Sequence, residues 1–582
     1  MANFFDDNDD IQFRFNTMKL AEAAELMEDG FRYAAEFDYA PRDAQDAIDN
    51  YRRILSSLGE LCAEFIEPRA DDVDRTGVTL NEDGSVSYAP GTAENLEKLA
   101  QADLMGCTLP YRFGGLNFPN MVLTIATELV SRADASLMNL FGLQGIAETI
   151  NAYASDEIKQ EYLPGFAEGR LDGAMVLTEP DAGSDLQAVK VRAYQDPTGQ
   201  WRVQGVKRFI TNGCGKILLV LARTEPEISD GRGLSLLLVE RGPQVVVRRV
   251  EDKLGIHGSP TCELQLNDAP AKLIGERQRG LITYVLALMN GARIGIAAQG
   301  LGIGEAAYQV ARNYAQSRKQ FGTAIEELPA VRDMLIEMRL DLEAARALTY
   351  ETCYCVDMMY GAARKMELDK PDDKTALRQL RNQERTYKRL NSMLTPMSKY
   401  IASEMCNRVA YDAVQVLGGS GYMRDYPCER YLRDARIAPI YEGTSQLQIV
   451  AAVRGVTSGT AGKFIDELLG SQTWAGDLKP VVDQLADGRS RLDEIVTFVK
   501  AQPGPTYMDL CGRKIVDVAI DLICGCLFLR DAAVDEGKLV RAQRWVATRM
   551  PRIRCAQELI LSGDTSTMSS FDALVGAAPV ET

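Results

Sequence analysis

The sequence predicts an α+β chain: a helical segment, a β-rich segment and a second helical segment, followed by a further helical stretch. Three observations carry this. The chain has 582 residues, too many for one ordinary core, with 46% hydrophobic and 25% charged residues, as in a globular protein. The apolar period is helical over residues 51–170, becomes that of short strands over 171–280, and is helical again over 281–455. A Thr-Ser-Gly-Thr-Ala-Gly run at 457–462 then marks a linker before residues 463–582, so 456–582 reads as a C-terminal extension.

Residues 1–50 form an acidic, helix-prone preface in which Phe13, Phe15, Met18 and Leu20 could share a packing face. Ile54, Leu58, Leu61, Cys62 and Phe65 then recur at helix spacing, and Leu109–Leu116 breaks the pattern with a proline and two glycines. Ala174–Thr178, Trp201–Val206, Ile217–Ala222 and Leu234–Val239 are β-rich runs divided by turns. No long helix separates them, so a small antiparallel sheet or barrel fits better than βαβ units. Helices resume near Leu281. The charged stretch 363–390, with Lys370-Pro371-Asp372-Asp373 as a break, reads as a long solvated connection.

Composition narrows the function. A net charge of −17 argues against nucleic acid as a main partner. A single histidine, His257, and no Cys-x2-Cys doublets argue against a metal site or a Ser-His-Asp triad. The polar, acidic first ten residues and twelve cysteines suggest a reduced, cytoplasmic setting. The apolar run near Gly280–Ala292 stops at Arg293, too short to span a bilayer, so no integral membrane segment is expected. Gly300-Leu301-Gly302-Ile303-Gly304 follows no strand and reads as close helix packing rather than a dinucleotide loop.

The chemistry centres on Ile440–Gln448, where one carboxylate, Glu442, sits between Tyr441 and Gly443. Alone, this is equally a helix start with a surface glutamate. Upstream stand Thr178-Glu179-Pro180-Asp181-Ala182-Gly183-Ser184-Asp185, Phe209-Ile210-Thr211-Asn212-Gly213, Arg318-Lys319-Gln320-Phe321-Gly322 and Gln415-Val416-Leu417-Gly418-Gly419. That set, in that order over about residues 50–455, resembles the acyl-CoA dehydrogenase family. The two extensions and the loop around His257 tilt the resemblance toward the longer bacterial type, that of 3-methylmercaptopropionyl-CoA dehydrogenase.

The resemblance implies an acyl-CoA dehydrogenase-like fold: an N-terminal α-domain, a middle β-domain, a C-terminal four-helix domain and an extra helical domain. It implies FAD-dependent α,β-dehydrogenation of an acyl-CoA to the trans-2-enoyl-CoA, with electrons passed to an electron-transfer flavoprotein. The alternatives are an acyl-CoA oxidase using oxygen and a non-catalytic acyl-CoA-binding scaffold. Glu442 matches the catalytic base; the other base position found in relatives is Ala292 here. Met175, Leu177, Thr178, Phe209, Thr211, Thr444 and Gln446 match FAD contacts. Arg318, Phe321, Gln415, Gly418 and Gly419 match contacts to the FAD of a neighbouring subunit, implying a homo-oligomer, a dimer or dimer of dimers. Ser184, Arg293, Tyr441 and Gly443 match the substrate side, and Leu137, Met138, Leu140 and Phe141 match an acyl-pocket wall, with plain core an equal reading for each of these four. Glu327-Leu328-Pro329-Ala330 departs from the family pattern. Lys538–Arg554 carries six cations around Trp545, Val546 and Met550, with Pro551 expected to break the helix. It is either a membrane-surface helix or, the favoured reading, a segment that packs on the core and helps fix a dimer.

Overall fold

The computed structural model describes residues 1–369 and 374–577; the expected break at Lys370–Asp373 lies outside the described residues. The chain forms two compact units, Met1–Lys388 with Ala402–Thr444, and Arg389–Ile401 with the segment from Ser445.

In the first unit, the β-segment is a seven-stranded sheet that closes on itself. Ile217–Arg223 pairs with Leu234–Glu240, which pairs with Thr261–Ile274, which pairs with Trp201–Thr211, all antiparallel. Trp201–Thr211 pairs with Arg192–Gln195, and Arg192 returns to Arg223 in parallel, closing the ring. Gly173–Val176 also joins in parallel, so the expected antiparallel barrel is a closed but mixed one. The run Ile217–Ala222 is apolar throughout because both its faces are covered. Leu218, Val220 and Ala222 point into the barrel with Val203 and Leu264, whereas Ile217, Leu219 and Leu221 meet Ile146, Ile150 and Leu163 outside.

The helices surround a long central one. A wide π-type turn, Gly280–Val285, runs into the helix Leu286–Ser317, giving a 38-residue element long and apolar enough to cross a bilayer. The apolar run expected to end at Arg293 is part of this longer helix, which continues beyond it through small, packed residues. A Cβ on Gly302 would lie 2.6 Å from the Glu128 carbonyl, and one on Gly300 2.7 Å from the Ala402 carbonyl. The glycine stripe is therefore the close-packing seam expected from sequence, with Asn120–Ala133 on one side and the Ala402 turn on the other.

The N-terminal preface belongs to this core. Phe15 and Leu20 are buried as expected, Ile11 is buried with them, and Phe5 meets Phe15 edge-on at 5.5 Å. Phe13 and Met18 lie at its margin. Glu28 is fully buried, accepting hydrogen bonds from the Tyr111 hydroxyl (2.9 Å) and Asn117 (3.2 Å).

The second unit is helical. Thr506–Val534 runs through its middle, with Lys479–Lys500 and Leu539–Leu561 against it. Pro551 does not end the last helix; it is accommodated inside it. Trp545, Val546 and Met550 are buried, with Trp545 edge-on to Phe528 at 5.3 Å and the buried Arg549 guanidinium 4.3 Å over its ring. These three residues are core, which removes the apolar face that a membrane-surface helix at this place required.

Glu28 makes the first unit pH-sensitive. Burial pushes its carboxyl up to about 7 from an ordinary 4.5, against the opposing pull of Tyr111, Asn117 and Arg364. Between those values the folded state holds a proton that the unfolded chain has released, so this group's contribution to stability falls as pH rises through that window. Glu28→Gln should therefore be more stable than the wild type by about 1–3 kcal/mol at pH 8 and indistinguishable from it near pH 4.5. Urea midpoints at the two pH values test this; equal differences at both would contradict it.

Candidate active site

The loop carrying Glu442 is pinned before it reaches the carboxylate. The Ser403 hydroxyl donates to the Ala438 carbonyl (3.1 Å) and Asn407 to that of Ala435 (2.8 Å). Tyr441 then turns inward, where its hydroxyl bonds Asn139 (3.1 Å) and Gln299. The Gln299 amide donates to Asn139 (3.0 Å) and the Ala135 carbonyl (2.8 Å), and the Asn139 amide donates to Ser259 (3.1 Å). Burial drives the Tyr441 phenol well above its ordinary range, so it stays a neutral donor. This knot joins the Glu442 loop to two helices and to the barrel loop holding His257. Asn139 and Gln299 were not singled out from sequence; the available signal was an amide side chain inside an otherwise apolar helical run.

Beyond the knot the backbone enters the left-handed region twice, at Glu442 (φ +53°) and Gly443 (φ +91°). For glutamate this costs about 1–2 kcal/mol, which surrounding contacts must outweigh. The turn puts Glu442 in the wall of a cleft of about 90 Å³. Met175, Thr211, Ala292 and Tyr441 line the same cleft. Arg293 is close enough for charge coupling with Glu442: burial lowers the guanidinium pKa and the Glu442 carboxylate opposes that shift. Arg293 donates to Asn290 (3.0 Å), while its buried Nε has no partner among the described residues.

Other sequence-selected residues stand elsewhere. The Leu177 side chain is buried in the core between barrel and helices, while its carbonyl accepts from Lys207 (2.7 Å). Leu137, Leu140 and Phe141 are also core; of the expected pocket wall, Met138 alone lines the cleft. Ser184 is exposed on the loop after Thr178. Phe209 is 54% exposed at φ +59°, beside a bulge in its strand.

A second surface is open and aromatic. Lys319–Gln320 and Thr323–Ala324 form a hairpin whose two-residue turn, Phe321 (φ +53°) and Gly322 (φ +86°), projects a 93% exposed ring. Arg318, at its base, is exposed. Next to it, Tyr314 packs edge-on to Tyr426 at 5.9 Å and bonds Ser420 (3.3 Å), placing the hairpin by Gly418 and Gly419. Gln415 is exposed one turn earlier, and nothing lies within 4 Å of a Cβ built on either glycine. Thr444 is half-buried, and Gln446, in the second unit, is exposed.

The single histidine serves structure. His257 bonds Asp74 (2.9 Å) and the Lys253 carbonyl (2.8 Å), and Arg433 clamps Asp74 at 2.6 Å. Burial works against the Asp74 carboxylate, but Arg433 and His257 outweigh it and hold its pKa low. Among the described residues no group of three His, Cys, Asp or Glu side chains could hold a metal ion.

The Thr178 loop depends on a buried ion pair. Lys207 is fully buried 2.9 Å from Glu179, whose carboxylate also accepts from the amides of Lys190 and Val191. Burial lowers the Lys207 pKa to about 8, so the pair survives on mutual compensation. Lys207→Met should destabilise the first unit by about 3–5 kcal/mol by leaving Glu179 buried without its cation. Lys207→Met/Glu179→Leu should recover part of that loss. Thermal unfolding of both variants decides it; a double variant no better than the single one would refute the pairing.

Comparison with known proteins agrees with this geometry. Models of the acyl-CoA dehydrogenase N-terminal, middle and C-terminal domains match residues 49–170, 174–269 and 279–457. A further acyl-CoA dehydrogenase C-terminal model matches 457–544. The chain is 34% identical over 418 residues to acryloyl-CoA reductase (NADH) of Anaerotignum propionicum, covering 70% of this chain and 95% of that one. It is also 34% identical over 432 residues to 3-methylmercaptopropionyl-CoA dehydrogenase of Ruegeria pomeroyi, covering 69% of each. Among solved structures it matches butyryl-CoA dehydrogenase of Megasphaera elsdenii (TM-score 0.59, 28% identity, 69% of this chain and 97% of that one). An acyl-CoA dehydrogenase of Bacillus anthracis shares the fold over 91% of this chain and 92% of its own (TM-score 0.75, 21% identity). A strained Glu-Gly turn over a cleft between helices and a closed β-segment, with these matches across the chain, places the protein in the acyl-CoA dehydrogenase family of FAD-dependent oxidoreductases.

Proposed function

We propose that this protein catalyses α,β-dehydrogenation of an acyl-CoA thioester with Glu442 as the base, and passes its electrons to an electron-transfer flavoprotein. The observation that supports this best is the convergence of Glu442, Met175 and Thr211 on one cleft, from the loop and two barrel strands. Ala292 lines that cleft too, so the alternative base position faces it without a group able to take a proton.

The α C–H of a thioester is a weak acid, so its removal needs a carboxylate at the carbon and donors at the carbonyl oxygen. Glu442 supplies the first, and its backbone N–H, in a left-handed turn followed by glycine, is the donor assigned to the second. Arg293 favours the ionised form of Glu442 by its charge. Tyr441, tied to Asn139 and Gln299, holds the turn in place. The cofactor fits the residues present: exposed Phe209 offers a stacking face, and Gly418 and Gly419 leave room for close approach of a large group. FAD, when bound, supplies the hydride acceptor for the β carbon. Met175, Thr178 and Thr211 are assigned to its ring, and Thr444 and Gln446 to its phosphate and adenosine portions. Arg318, Phe321, Gln415, Gly418 and Gly419 are assigned to the FAD of a partner subunit, a role supported by the exposed Phe321 hairpin. The cleft of about 90 Å³ favours a short acyl group. The relative named as a reductase has the opposite direction in its name, and by microscopic reversibility the same proton-handling residues serve both.

Anaerobic bleaching of the flavin by a panel of acyl-CoAs tests the activity, and steady oxygen consumption would identify an oxidase instead. Glu442→Gln should keep FAD and acyl-CoA binding while bleaching slows by more than the ~10²–10⁴-fold usual for loss of a general base. Bleaching at near the wild-type rate would assign the base elsewhere.

The oligomer is tested separately. Light scattering should show a dimer or larger. Arg318→Ala should lose FAD on dilution faster than the wild type, because a pyrophosphate charge loses its counter-charge. A monomer with full FAD occupancy would be incompatible with a shared site.

A further inference from the structure

The cleft holds a second carboxyl. Glu148 lines its wall, yet it takes no part in the chemistry assigned to Glu442. Its position along the cleft can be read from the central helix. A Cβ on Gly145, one turn before Glu148, would stand 3.6 Å from Leu288, whereas one on Gly295 would stand 3.4 Å from Met138. Leu288 and Gly295 are seven residues apart, roughly 10 Å along a helix. Glu148 belongs to the Leu288 end. Glu442, coupled to Arg293 and next to the Asn139–Gln299 knot, belongs to the other.

At its own end Glu148 is the available acceptor. Its Oε1 accepts from the Thr108 hydroxyl, and among the described residues no side chain or amide is bonded to Oε2 and no cation pairs with it. The nearby Asp357 is different: its oxygens are taken by the Asn120 amide (2.8 Å) and the backbone N–H groups of Asn120 (2.7 Å) and Met121 (3.0 Å). Burial raises the Glu148 pKa and Thr108 partly offsets this, as expected for a carboxyl in an enclosed wall. A carboxyl oxygen with no protein partner among the described residues, in an otherwise mainly apolar cleft, wants a hydrogen-bond donor from whatever fills it.

We propose that Glu148 is a substrate-binding residue that accepts a hydrogen bond from a donor on the part of the acyl-CoA that lies at the Leu288 end of the cleft. This rests on the acyl-CoA dehydrogenase reading of the cleft. Two parts of the substrate carry such a donor: the amide or hydroxyl groups of the pantetheine arm, and a hydroxyl or ammonium at the far end of the acyl group. Glu148 is a specificity group and not a base, so its loss should move KM and leave kcat close to the wild type.

The experiment is steady-state kinetics and anaerobic bleaching of the FAD-loaded enzyme, wild type against Glu148→Gln and Glu148→Ala. The panel is butyryl-CoA, 4-hydroxybutyryl-CoA and 4-aminobutyryl-CoA. Glu148→Gln preserves shape and an oxygen for Thr108, so it reports even where the alanine variant does not fold. A rise in KM of about tenfold or more on all three substrates, with kcat kept, assigns the donor to pantetheine. A rise confined to the hydroxy and amino substrates assigns it to the acyl terminus. Unchanged KM for every substrate on which the wild type bleaches overturns the proposal, as does a fall in kcat with KM unchanged. If the wild type itself bleaches with no acyl-CoA, it is the underlying functional reading that fails.

Discussion

Arg346 is the charge on which the first unit depends. It is wholly buried and bonded to three carboxylates, Asp10 at 2.8 Å, Glu128 at 2.7 Å and Glu305 at 2.6 Å. Each comes from a different helix: Asp9–Thr17, Asn120–Ala133 and Leu286–Ser317, with Arg346 itself on Pro329–Asp369. Desolvation makes any one of these charges expensive alone, by several kcal/mol, and together they are tolerable. The field divides unevenly among them. Burial opposes ionisation of Glu305, but Arg346, Arg132 and Arg339 outweigh it and hold the carboxyl down near 2. Glu128, which also accepts from the Tyr350 hydroxyl, is pushed upward by burial despite Arg346. Two of the helices so joined, those of Glu128 and Glu305, are also walls of the cleft. The distance across the cleft is thus set by an ion cluster that does not line it.

Three of the eleven non-glycine residues with positive φ among the described residues stand at positions assigned to flavin or substrate. Glu442, Phe209 and Phe321 are all non-glycine residues in the left-handed region, and each presents its side chain at a position matched to the family's flavin or substrate machinery. An unstrained backbone would direct these side chains elsewhere. The supporting contacts are correspondingly dense: the Ser403 and Asn407 bonds below Glu442, and the Asn212 amide bonded to Asp172 (2.9 Å) and the Gly173 carbonyl (3.1 Å) just after Thr211.

Much of this was legible in the sequence, unevenly. The run Ile217–Ala222 announced a strand, though not that both its faces are covered, and the Gly300–Gly304 stripe announced a close helix seam, because both are local patterns. Closure of the barrel was less legible, since it turns on one parallel pairing between Arg192 and Arg223. The Tyr441 knot was invisible because its partners, Asn139 and Gln299, are far away in sequence and look like stray polar residues within apolar helices. Leu137, Leu140 and Phe141 show the opposite problem. Periodicity marks them as inward-facing but cannot say whether inward means the cleft or the core. Pro551 misled because a proline near the middle of a helix is disfavoured yet survivable when its neighbours are buried.

The N-terminal preface has a consequence for what counts as the folding unit. The shared family models begin at residue 49, but Phe5 and Asp10 are wholly buried, and the Arg132 guanidinium lies 3.8 Å over the Phe4 ring. The chain's opening residues thus close an interior that the later helices leave open. Asp10 neutralises part of the Arg346 charge, and Phe5 packs so closely on Gly59 that a Cβ there would stand 2.7 Å from the Phe5 backbone nitrogen. Transplanting the family segment alone would carry over the Glu442 turn and leave behind part of the charge balance that holds the walls of its cleft.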